Sequence, residues 1–315
     1  MARRKANSAY NTFKQYQNTY NHLIAYEKDK GVRLQFADIT LRFYESFRRY
    51  LSNKGIGANT FGTIMKTIKV AYRDAREVDG LHNLHETEKR GFSSANYAAK
   101  TVYLSVEELK RIADVEITTE TILATYPEWK SEDKNFQANI QKKVCSLNSV
   151  RNKFIVGAFT ALRVSDFNRL NNNVHIDGDY LRINTQKTGA QVVIPIHPIV
   201  RRIIDSGFDF STPLSDQKIN KHIKVIARMA GITQLVEGTK IVDHKSVVGT
   251  FPKCDIITTH TARRSAATNM FKAGIPAISI MKITGHTTEK SFMKYIKISA
   301  EENAELMAKN KFFTE

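Results

Sequence analysis

Apolar residues recur at spacings of three and four through the first hundred residues, which is the periodicity of amphipathic helices. The pattern predicts a first helix over residues 8–27 and a second that starts near Asp38 or Thr40, since both side chains are good N-caps. It predicts a third helix that Asn59 caps. The weakly periodic segment 82–100 is expected to be an interdomain linker. The first part of the chain is therefore predicted to be a small all-helical domain.

The rest of the chain combines helices with one clear stretch of alternation. Apolar residues at every second position predict a hairpin of two half-buried strands, and they are Leu181, Ile183, Val192, Ile194 and Ile196. Helical spacing returns over residues 215–231 and again from His260 onward. Residues 115–148 follow neither pattern, and residues 232–259 are expected to be an irregular insertion with a strand near 240–242.

These patterns predict a mainly α chain of the α+β class with two domains, which 315 residues accommodate. The first domain covers residues 1–98, linker included, and is helical. The second covers residues 99–315 and is a mixed α/β domain with a small antiparallel sheet. Hydrophobic residues make up 42% of the sequence, which is enough to build a core in each domain.

The charge of the chain points to a polyanionic partner. Lysine and arginine number 48 against 31 aspartates and glutamates, a net charge of +17. The first hundred residues hold 18 against 9 of these, and the remainder 30 against 22, so both parts are basic. Nucleic acid is the commonest partner of such a protein, and we favour it over a merely soluble basic protein.

Two cysteines exclude a disulfide framework, and neither a signal peptide nor an apolar run long enough for a bilayer is found. We therefore expect a cytoplasmic protein with no membrane partner.

Two helices carry cationic stripes. In the first stripe four cations fall within an arc of about 80° on a helix, and we expect it to contact DNA rather than to be a solvated face: Lys66, Lys69, Arg73 and Arg76. The second expected DNA contact is Lys218 with Lys221.

Six polar residues in the second domain suit the chemistry of one phosphate: Arg163, Lys187, His260, Arg263, His286 and Tyr295. Arginines clamp nonbridging phosphate oxygens, a lysine or histidine protonates a leaving oxygen, and a tyrosine forms a covalent phosphoester. The sequence has no carboxylate cluster for Mg²⁺ and no glycine-rich phosphate loop, which disfavours a two-metal nuclease or an NTPase. We expect neither a metal nor a cofactor.

The order and spacing of these six residues resemble those of the tyrosine recombinase (phage integrase) family. The resemblance covers the whole chain in layout and is sharpest over residues 154–298. The matching pieces are Thr160-Ala-Leu-Arg-Val-Ser-Asp166, the Gln186-Lys-Thr-Gly hairpin, His260-Thr-Ala-Arg263, Thr284-Gly-His286 and Tyr295. It implies a core-binding (SAM-like) first domain and a second domain with the fold of DNA-breaking-rejoining enzymes, which together clamp DNA.

The resemblance also implies roles for the six residues. Arg163 and Arg263 would bind the scissile phosphate, Lys187 would protonate the 5′-oxygen, and Tyr295 would attack to give a 3′-phosphotyrosine. His260 would assist proton transfer and His286 would hydrogen-bond the phosphate. Strand exchange would pass through a Holliday junction in a tetramer on double-stranded DNA. The free protein would be a dimer or monomer, accessory DNA-bending proteins would be further partners, and the tail after Tyr295 would dock on a neighbouring protomer.

Two alternatives remain. A type IB topoisomerase uses the same chemistry as a monomer, and a non-catalytic relative would bind DNA alone. The tail helix favours assembly, and the intact Tyr295 with both arginines favours catalysis.

Ala161 departs from the glycine common before Leu-Arg in the family, and we expect this difference to have a minor effect. An N-terminal arm-binding domain is expected to be lacking, either because this is a simpler recombinase or because it was removed.

Overall fold

The computed structural model describes residues 10–94, 97–242, 245–308 and 311–314. The chain divides into two compact units. The first comprises Met1–Ala99 and Thr239–Val248, and the second comprises Lys100–Gly238 and Gly249–Glu315. No helix in the described ranges is both long and apolar enough to cross a membrane.

Three helices build the first unit: α1 (Tyr10–Lys30), α2 (Leu41–Asn53) and α3 (Ala58–Glu77). Thr40 accepts a hydrogen bond from the Phe43 N–H and so caps α2, as one of the two alternatives predicted. The core between the helices is aromatic. The Tyr26 ring meets Phe43 and Phe47 edge-on, with ring centroids 5.7 and 5.2 Å apart, an arrangement that aromatic quadrupoles favour.

One prediction for this unit is wrong. Gly57, not Asn59, is the N-cap of α3, and the Asn59 side chain instead makes hydrogen bonds of 3.0 and 2.7 Å with the backbone of Tyr97. Part of the segment predicted to be a linker packs on this unit. It contains a short 3₁₀ helix (Glu86–Glu88), and Phe92 is only 2% exposed because it packs into the aromatic core.

The second unit begins with six helices: α4 (Val106–Asp114), α5 (Thr119–Thr125), α6 (Phe136–Thr160), α7 (Val164–Phe167), α8 (Asn172–His175) and α9 (Pro198–Asp205). Ser105 and Glu108 form a capping box at the start of α4. The stretch 115–148, unassigned from the sequence, is largely helical. The central helix α6 is buried over its second half, so its last turn is held firmly where it delivers the residues that follow.

A three-stranded antiparallel sheet lies between α8 and α9. It consists of β1 (Ile176–Asp177), β2 (Tyr180–Asn184) and β3 (Gln191–Pro195), in that order. Leu181 pairs with Ile194 and Ile183 with Val192, and all four side chains are buried. The predicted hairpin is confirmed, and its connection over residues 185–190 lies at the edge of the site described below.

The insertion 232–259 is more regular than predicted. Helix α10 (Asp216–Met229), capped by Ser215, leads into β4 (Leu235–Val242) and β5 (Lys245–Pro252), which form a separate two-stranded sheet. Glu108 fastens the base of this pair of strands, since it accepts hydrogen bonds from Lys253 at 2.6 Å and from Gln234 at 2.5 Å.

Five helices complete the chain: α11 (Thr259–Lys272), α12 (Ala277–Thr284), α13 (Glu289–Met293), α14 (Ala300–Ala308) and α15 (Lys311–Thr314). Ser299 and Glu302 form a capping box that opens α14. This tail helix also contacts the rest of the second unit. Glu302 accepts hydrogen bonds from Tyr103 at 2.6 Å and Lys272 at 2.7 Å. Partial burial raises the pKa of Glu302, but these two donors outweigh it and lower that pKa to about 2.

Candidate active site

Arg163 stands at the junction between the central helix and the next one. Helix α6 ends at Thr160, and Ala161 then takes a left-handed conformation with φ of 56°, which reverses the chain. Arg163 is the N-cap residue of α7. Asp166 has no described hydrogen bond to Arg163. It accepts instead from the Gln186 N–H at 2.7 Å.

Ala161 is the one non-glycine residue in the described ranges with positive φ, and this gives its departure from the family's glycine a physical meaning. A left-handed alanine is strained by about 1–2 kcal/mol. We expect Ala161→Gly to raise the free energy of unfolding by about 1 kcal/mol, the loss of one buried methyl offsetting part of the relief.

Ala158→Gly is the matched control, because Ala158 is equally buried but lies inside α6. There a glycine should lower the free energy of unfolding by about 1 kcal/mol or more. Urea titration of both variants measures the two signs. Equal destabilisation by the two changes would contradict the assignment of strain to Ala161.

Arg263 lies on α11 and is 2% exposed. Its Nη1 donates to the Ala161 carbonyl at 2.5 Å and its Nη2 donates to the Thr284 carbonyl. The guanidinium therefore ties together the ends of α6 and α12. Burial first, and then the neighbouring Arg163, lower the pKa of Arg263 to about 10, so it stays charged at neutral pH.

Tyr295 lies two residues beyond the end of α13, where it meets two histidines. The hydroxyl lies 2.9 Å from His260 Nε2. The Tyr295 ring centroid lies 4.6 Å from that of His286 and 5.7 Å from the guanidinium carbon of Arg263. His286 follows Gly285 as predicted, and its Nδ1 lies 2.8 Å from the Thr284 hydroxyl. Four of the six sequence-predicted residues are thus brought together, by α11 and by the segments that follow α12 and α13.

Arg163 and Lys187 approach the same place from other elements. Arg163 Nη1 and the hydroxyl of Thr188, the residue after Lys187, both lie beside Gly285 in the turn that precedes His286. Lys187 is exposed on the connection between β2 and β3, and its charge is one of those that lower the pKa of His260. The hydrogen bond from the Gln186 N–H to Asp166 holds this connection beside α7.

The site has a surplus of positive charge. Burial, and then the charges of neighbouring arginines, lower the pKa of both His260 and His286 to about 4, so both rings are neutral at pH 7. Two buried nitrogens, Arg163 Nη1 and Arg263 Nε, have no hydrogen-bond partner among the described residues. Buried cationic donors without an acceptor are costly, so the arrangement favours binding of an anion.

We expect sulfate to stabilise the protein through this site. Bound sulfate would accept from the unpaired arginine nitrogens, and at 100 times its Kd it would add about 2.7 kcal/mol to the free energy of unfolding. The gain should be larger at pH 5.5 than at pH 8. The anion raises the histidine pKa values above about 4, so anion binding is coupled to proton uptake as the pH falls toward 4.

The measurement is the melting temperature with and without sulfate at both pH values. Sulfate also stabilises proteins generally by exclusion from their surface. Arg163→Ala is therefore the control, and it should keep only that general effect. An equal gain in both proteins would contradict a specific anion site.

The residues of the two cationic stripes differ in their exposure and in their contacts within the protein. Lys66 and Arg73 on α3 are exposed. Lys69 donates to the Phe92 carbonyl at 3.0 Å, and Arg76 forms ion pairs with Glu77 and Glu88 at 2.8 and 2.6 Å. These contacts give Lys69 and Arg76 structural partners within the first unit, and all four cations of this stripe stay predicted DNA contacts. In the second unit, Lys218 and Lys221 are exposed on α10.

Four residues that shape the site were missed by the sequence analysis or given another role: Ala161, Asp166, Thr284 and Thr268. They act through backbone geometry or single hydrogen bonds, which no spacing of residue types reveals. Thr284 was quoted only as part of a motif, yet its side chain contacts His286 and its carbonyl contacts Arg263. In the described ranges, no group of three His, Cys, Asp or Glu side chains is placed to hold a metal ion.

Two family models match the chain. The model described as phage integrase SAM-like domain matches residues 1–87, and that described as phage integrase family matches residues 138–302. The second match covers more than half of the 315 residues. The chain therefore belongs to the phage integrase family, whose members are tyrosine recombinases.

Solved structures share the fold. A lambda integrase dimer bound to a COC′ core site has a TM-score of 0.60 at 16% identity, covering 92% of this chain and 90% of that one. The Tn1549 transposon integrase in complex with circular intermediate DNA has a TM-score of 0.60 at 14% identity, covering 97% and 95%. The predicted fold class, mainly helical with small antiparallel sheets, is confirmed.

One curated relative is similar over a short stretch. The virulence plasmid integrase pGP8-D of Chlamydia muridarum (strain MoPn / Nigg) is 33% identical over 81 residues, which is 24% of this chain and 24% of that protein. The match thus spans about a quarter of the relative's length.

Proposed function

We propose that this chain is a site-specific DNA recombinase that cleaves and rejoins duplex DNA through a 3′-phosphotyrosine. The observation that carries the proposal is the contact of 2.9 Å between the Tyr295 hydroxyl and His260 Nε2, beside two arginines with unpaired buried nitrogens. A nucleophile (Tyr295), a neutral base (His260) and an anion-binding site formed by the two arginines therefore lie next to one another. In its domain plan, residues 1–98 form the core-binding domain and residues 99–315 the catalytic domain.

In the cleavage step the Tyr295 oxygen attacks the scissile phosphorus. Its proton passes to His260 Nε2, which is free to accept it because the lowered pKa keeps the ring neutral. The bond from phosphorus to the 5′-oxygen breaks as the tyrosine–phosphorus bond forms. Arg163 and Arg263 stabilise the charge on the nonbridging oxygens. His286 donates a further hydrogen bond once the bound phosphate has raised its pKa and its ring is protonated.

The leaving 5′-oxygen takes its proton from Lys187. The exposed position of this lysine on a connection between strands suits a group that must reach a bound strand. Rejoining is the reverse step with a 5′-hydroxyl of another strand, and the phosphotyrosine conserves the bond energy, so no nucleotide is consumed. Two such exchanges make and resolve a Holliday junction, giving integration, excision or inversion.

The proposed partners are double-stranded DNA and further copies of the chain. One of the similar structures is a lambda integrase tetramer bound to a Holliday junction, and we expect a tetramer on DNA, with accessory DNA-bending proteins as optional partners. The net charge of +17 suits a DNA-bound assembly. We expect it to act in the bacterial cytoplasm, on the nucleoid, as the recombinase of a mobile element.

The test begins with duplexes selected by the protein from random-sequence DNA. A selected duplex with a nick beside the cleavage position traps the covalent product, because the short strand that carries the 5′-hydroxyl diffuses away. We expect a protein–DNA adduct that is stable in denaturing gels and forms in EDTA. Absence of any adduct on all selected duplexes would reject the proposal.

A type IB topoisomerase-like activity is the alternative with the same chemistry. It would relax supercoiled plasmid that lacks a selected site, and it would do so as a monomer. A recombinase should leave such a plasmid supercoiled and act only when two selected sites are present. Relaxation without a site would favour the alternative, and binding without any adduct would favour a non-catalytic relative.

The exposed stripe cations supply a further prediction. Lys66→Ala and Arg73→Ala should each weaken DNA binding similarly on all sequences, and each should reduce the slope of log K against log salt by about 0.9. Arg76→Ala is the contrast. It should leave that slope unchanged while lowering the melting temperature, because it removes the ion pairs to Glu77 and Glu88. Fluorescence anisotropy at four salt concentrations measures the slopes. If Arg76→Ala also reduced the slope by about 0.9, the structural role of Arg76 would be contradicted.

A further inference from the structure

Thr268 makes an unusual pair of hydrogen bonds. It lies on α11 and is completely buried. Its hydroxyl donates to the Tyr295 carbonyl at 3.1 Å and accepts from the Lys297 N–H at 3.2 Å. Other buried hydroxyls nearby bond the carbonyl four residues earlier on their own helix, as Ser265 does with Thr261 and Thr284 with Ile280. Thr268 therefore links α11 to the segment that carries the tyrosine.

The Tyr295 backbone has few other supports. Helix α13 ends at Met293, so the carbonyls that follow have no continuing helix to bond them. The Tyr295 N–H bonds the Phe292 carbonyl at 2.8 Å, and Phe292 is itself buried against Ala267 and Ile280. The N–H of Tyr295 is thus fixed by its own turn, whereas its carbonyl is fixed by Thr268. Rotation of this peptide would swing the phenol away from His260.

The partners of the phenol lie on the same helix as Thr268. His260 and Arg263 stand eight and five residues before it, which is about 12 and 7.5 Å along the helix axis. Helix α11 therefore holds the base, one phosphate-binding arginine and the anchor of the nucleophile on one rigid element. A displacement of about 1 Å between reacting groups costs on the order of 10²-fold in rate.

We infer that Thr268 is a positioning residue that sets the distance between the Tyr295 hydroxyl and the scissile phosphate. This inference rests on the proposed function and deepens it. Thr268 contacts no DNA and transfers no proton. It acts through the backbone of Tyr295, so its loss should slow cleavage without weakening DNA binding.

Thr268→Val removes the hydroxyl and keeps the shape of the side chain. On the nicked selected duplex under single-turnover conditions, we expect the rate constant of adduct formation to fall about 30- to 100-fold. The Kd for the duplex should stay within about two-fold. Thr268→Ser restores the oxygen and should stay within about three-fold of the wild-type rate. Thr67→Val, a buried threonine of the first unit, is the control for the substitution itself and should leave the rate unchanged.

A duplex with sulfur in place of the bridging 5′-oxygen separates the two sides of the reaction. A thiolate leaves without protonation, so this duplex should largely rescue Lys187→Ala, which lacks the proton donor. It should not rescue Thr268→Val, whose defect lies with the nucleophile. A merely structural role for Thr268 would lower the melting temperature and leave the rate measured below it unchanged.

The outcomes are distinct. Persistence of the Thr268→Val defect on the sulfur duplex supports the inference. A wild-type rate in Thr268→Val, or rescue of the variant by the sulfur duplex, overturns it while the proposed function stands. A wild-type protein that forms no adduct rejects the proposed function and the inference with it. If Thr268→Val does not fold, Thr268→Cys replaces it, and its weaker hydrogen bonds should give an intermediate fall in rate. An unchanged rate in Thr268→Cys then overturns the inference.

Discussion

Tyr295→Phe should bind a selected duplex with the wild-type Kd and form no covalent adduct, a loss on the order of 10⁵-fold in cleavage. The hydroxyl is the only atom removed. It contacts His260 Nε2 at 2.9 Å and is not one of the cationic groups expected to hold DNA. Affinity should come instead from the cations around it and from the exposed lysines on α3 and α10.

The measurement is a denaturing gel of the nicked duplex, run beside an anisotropy titration of the intact one. Tyr180→Phe is the matched control, because Tyr180 is an exposed tyrosine on β2 that takes no part in the site. It should form the adduct at the wild-type rate. An adduct that survives Tyr295→Phe would show that another group is the nucleophile, and the arrangement of both histidines would then need another explanation.

Six site residues could be predicted from the sequence because phosphate chemistry needs particular side-chain types, and a chain seldom holds all of these types in this order. Four of them meet around Tyr295 in the structure, while Arg163 and Lys187 approach from α7 and from the connection between β2 and β3. Their individual roles remain proposals. The periodic segments were also predictable, since helix α11 and the strands β2 and β3 carry strong apolar patterns.

The parts that could not be predicted depend on backbone conformation or on contacts distant in sequence. Ala161 was expected to be a minor departure, yet its left-handed φ of 56° turns the chain toward Arg163. Residue 92 looked like part of a linker because one buried phenylalanine gives no period. Arg76 fell on a cationic stripe by angle alone, but Glu88 neutralises it, and that glutamate comes from a segment with no regular pattern.

Arg163→Ala should cut adduct formation by about 10³-fold or more while leaving the Kd for the duplex within a few-fold. Arg163 is a cleaner test than Arg263. The buried Arg263 donates to two backbone carbonyls, so its removal also loosens the ends of α6 and α12. Arg163 instead has a buried Nη1 with no partner in the described part of the chain. Replacing Arg163 therefore removes a donor to the anion, and it breaks no described hydrogen bond of Nη1.

The same argument predicts the stability of this variant. Arg163 lowers the pKa of Arg263, which means that the two like charges repel each other in the free protein. Arg163→Ala should therefore melt no lower than the wild type in buffer without anions, although the variant is far less active. An increase in stability with a loss of activity is expected where a site is built for a charge that arrives with the substrate.

Arg182→Ala is the control for the loss of one positive charge. Arg182 is exposed on β2 and forms an ion pair with Asp177 at 2.8 Å. It lies opposite Val193 within the strands, not on the connection that carries Lys187. It should change neither the rate of adduct formation nor the melting temperature by much, because exposed ion pairs contribute little. If Arg163→Ala instead melts well below Arg182→Ala and also loses DNA binding, Arg163 is a structural cation. The anion site would then rest on Arg263 and the two histidines alone, and sulfate should still stabilise the Arg163→Ala protein.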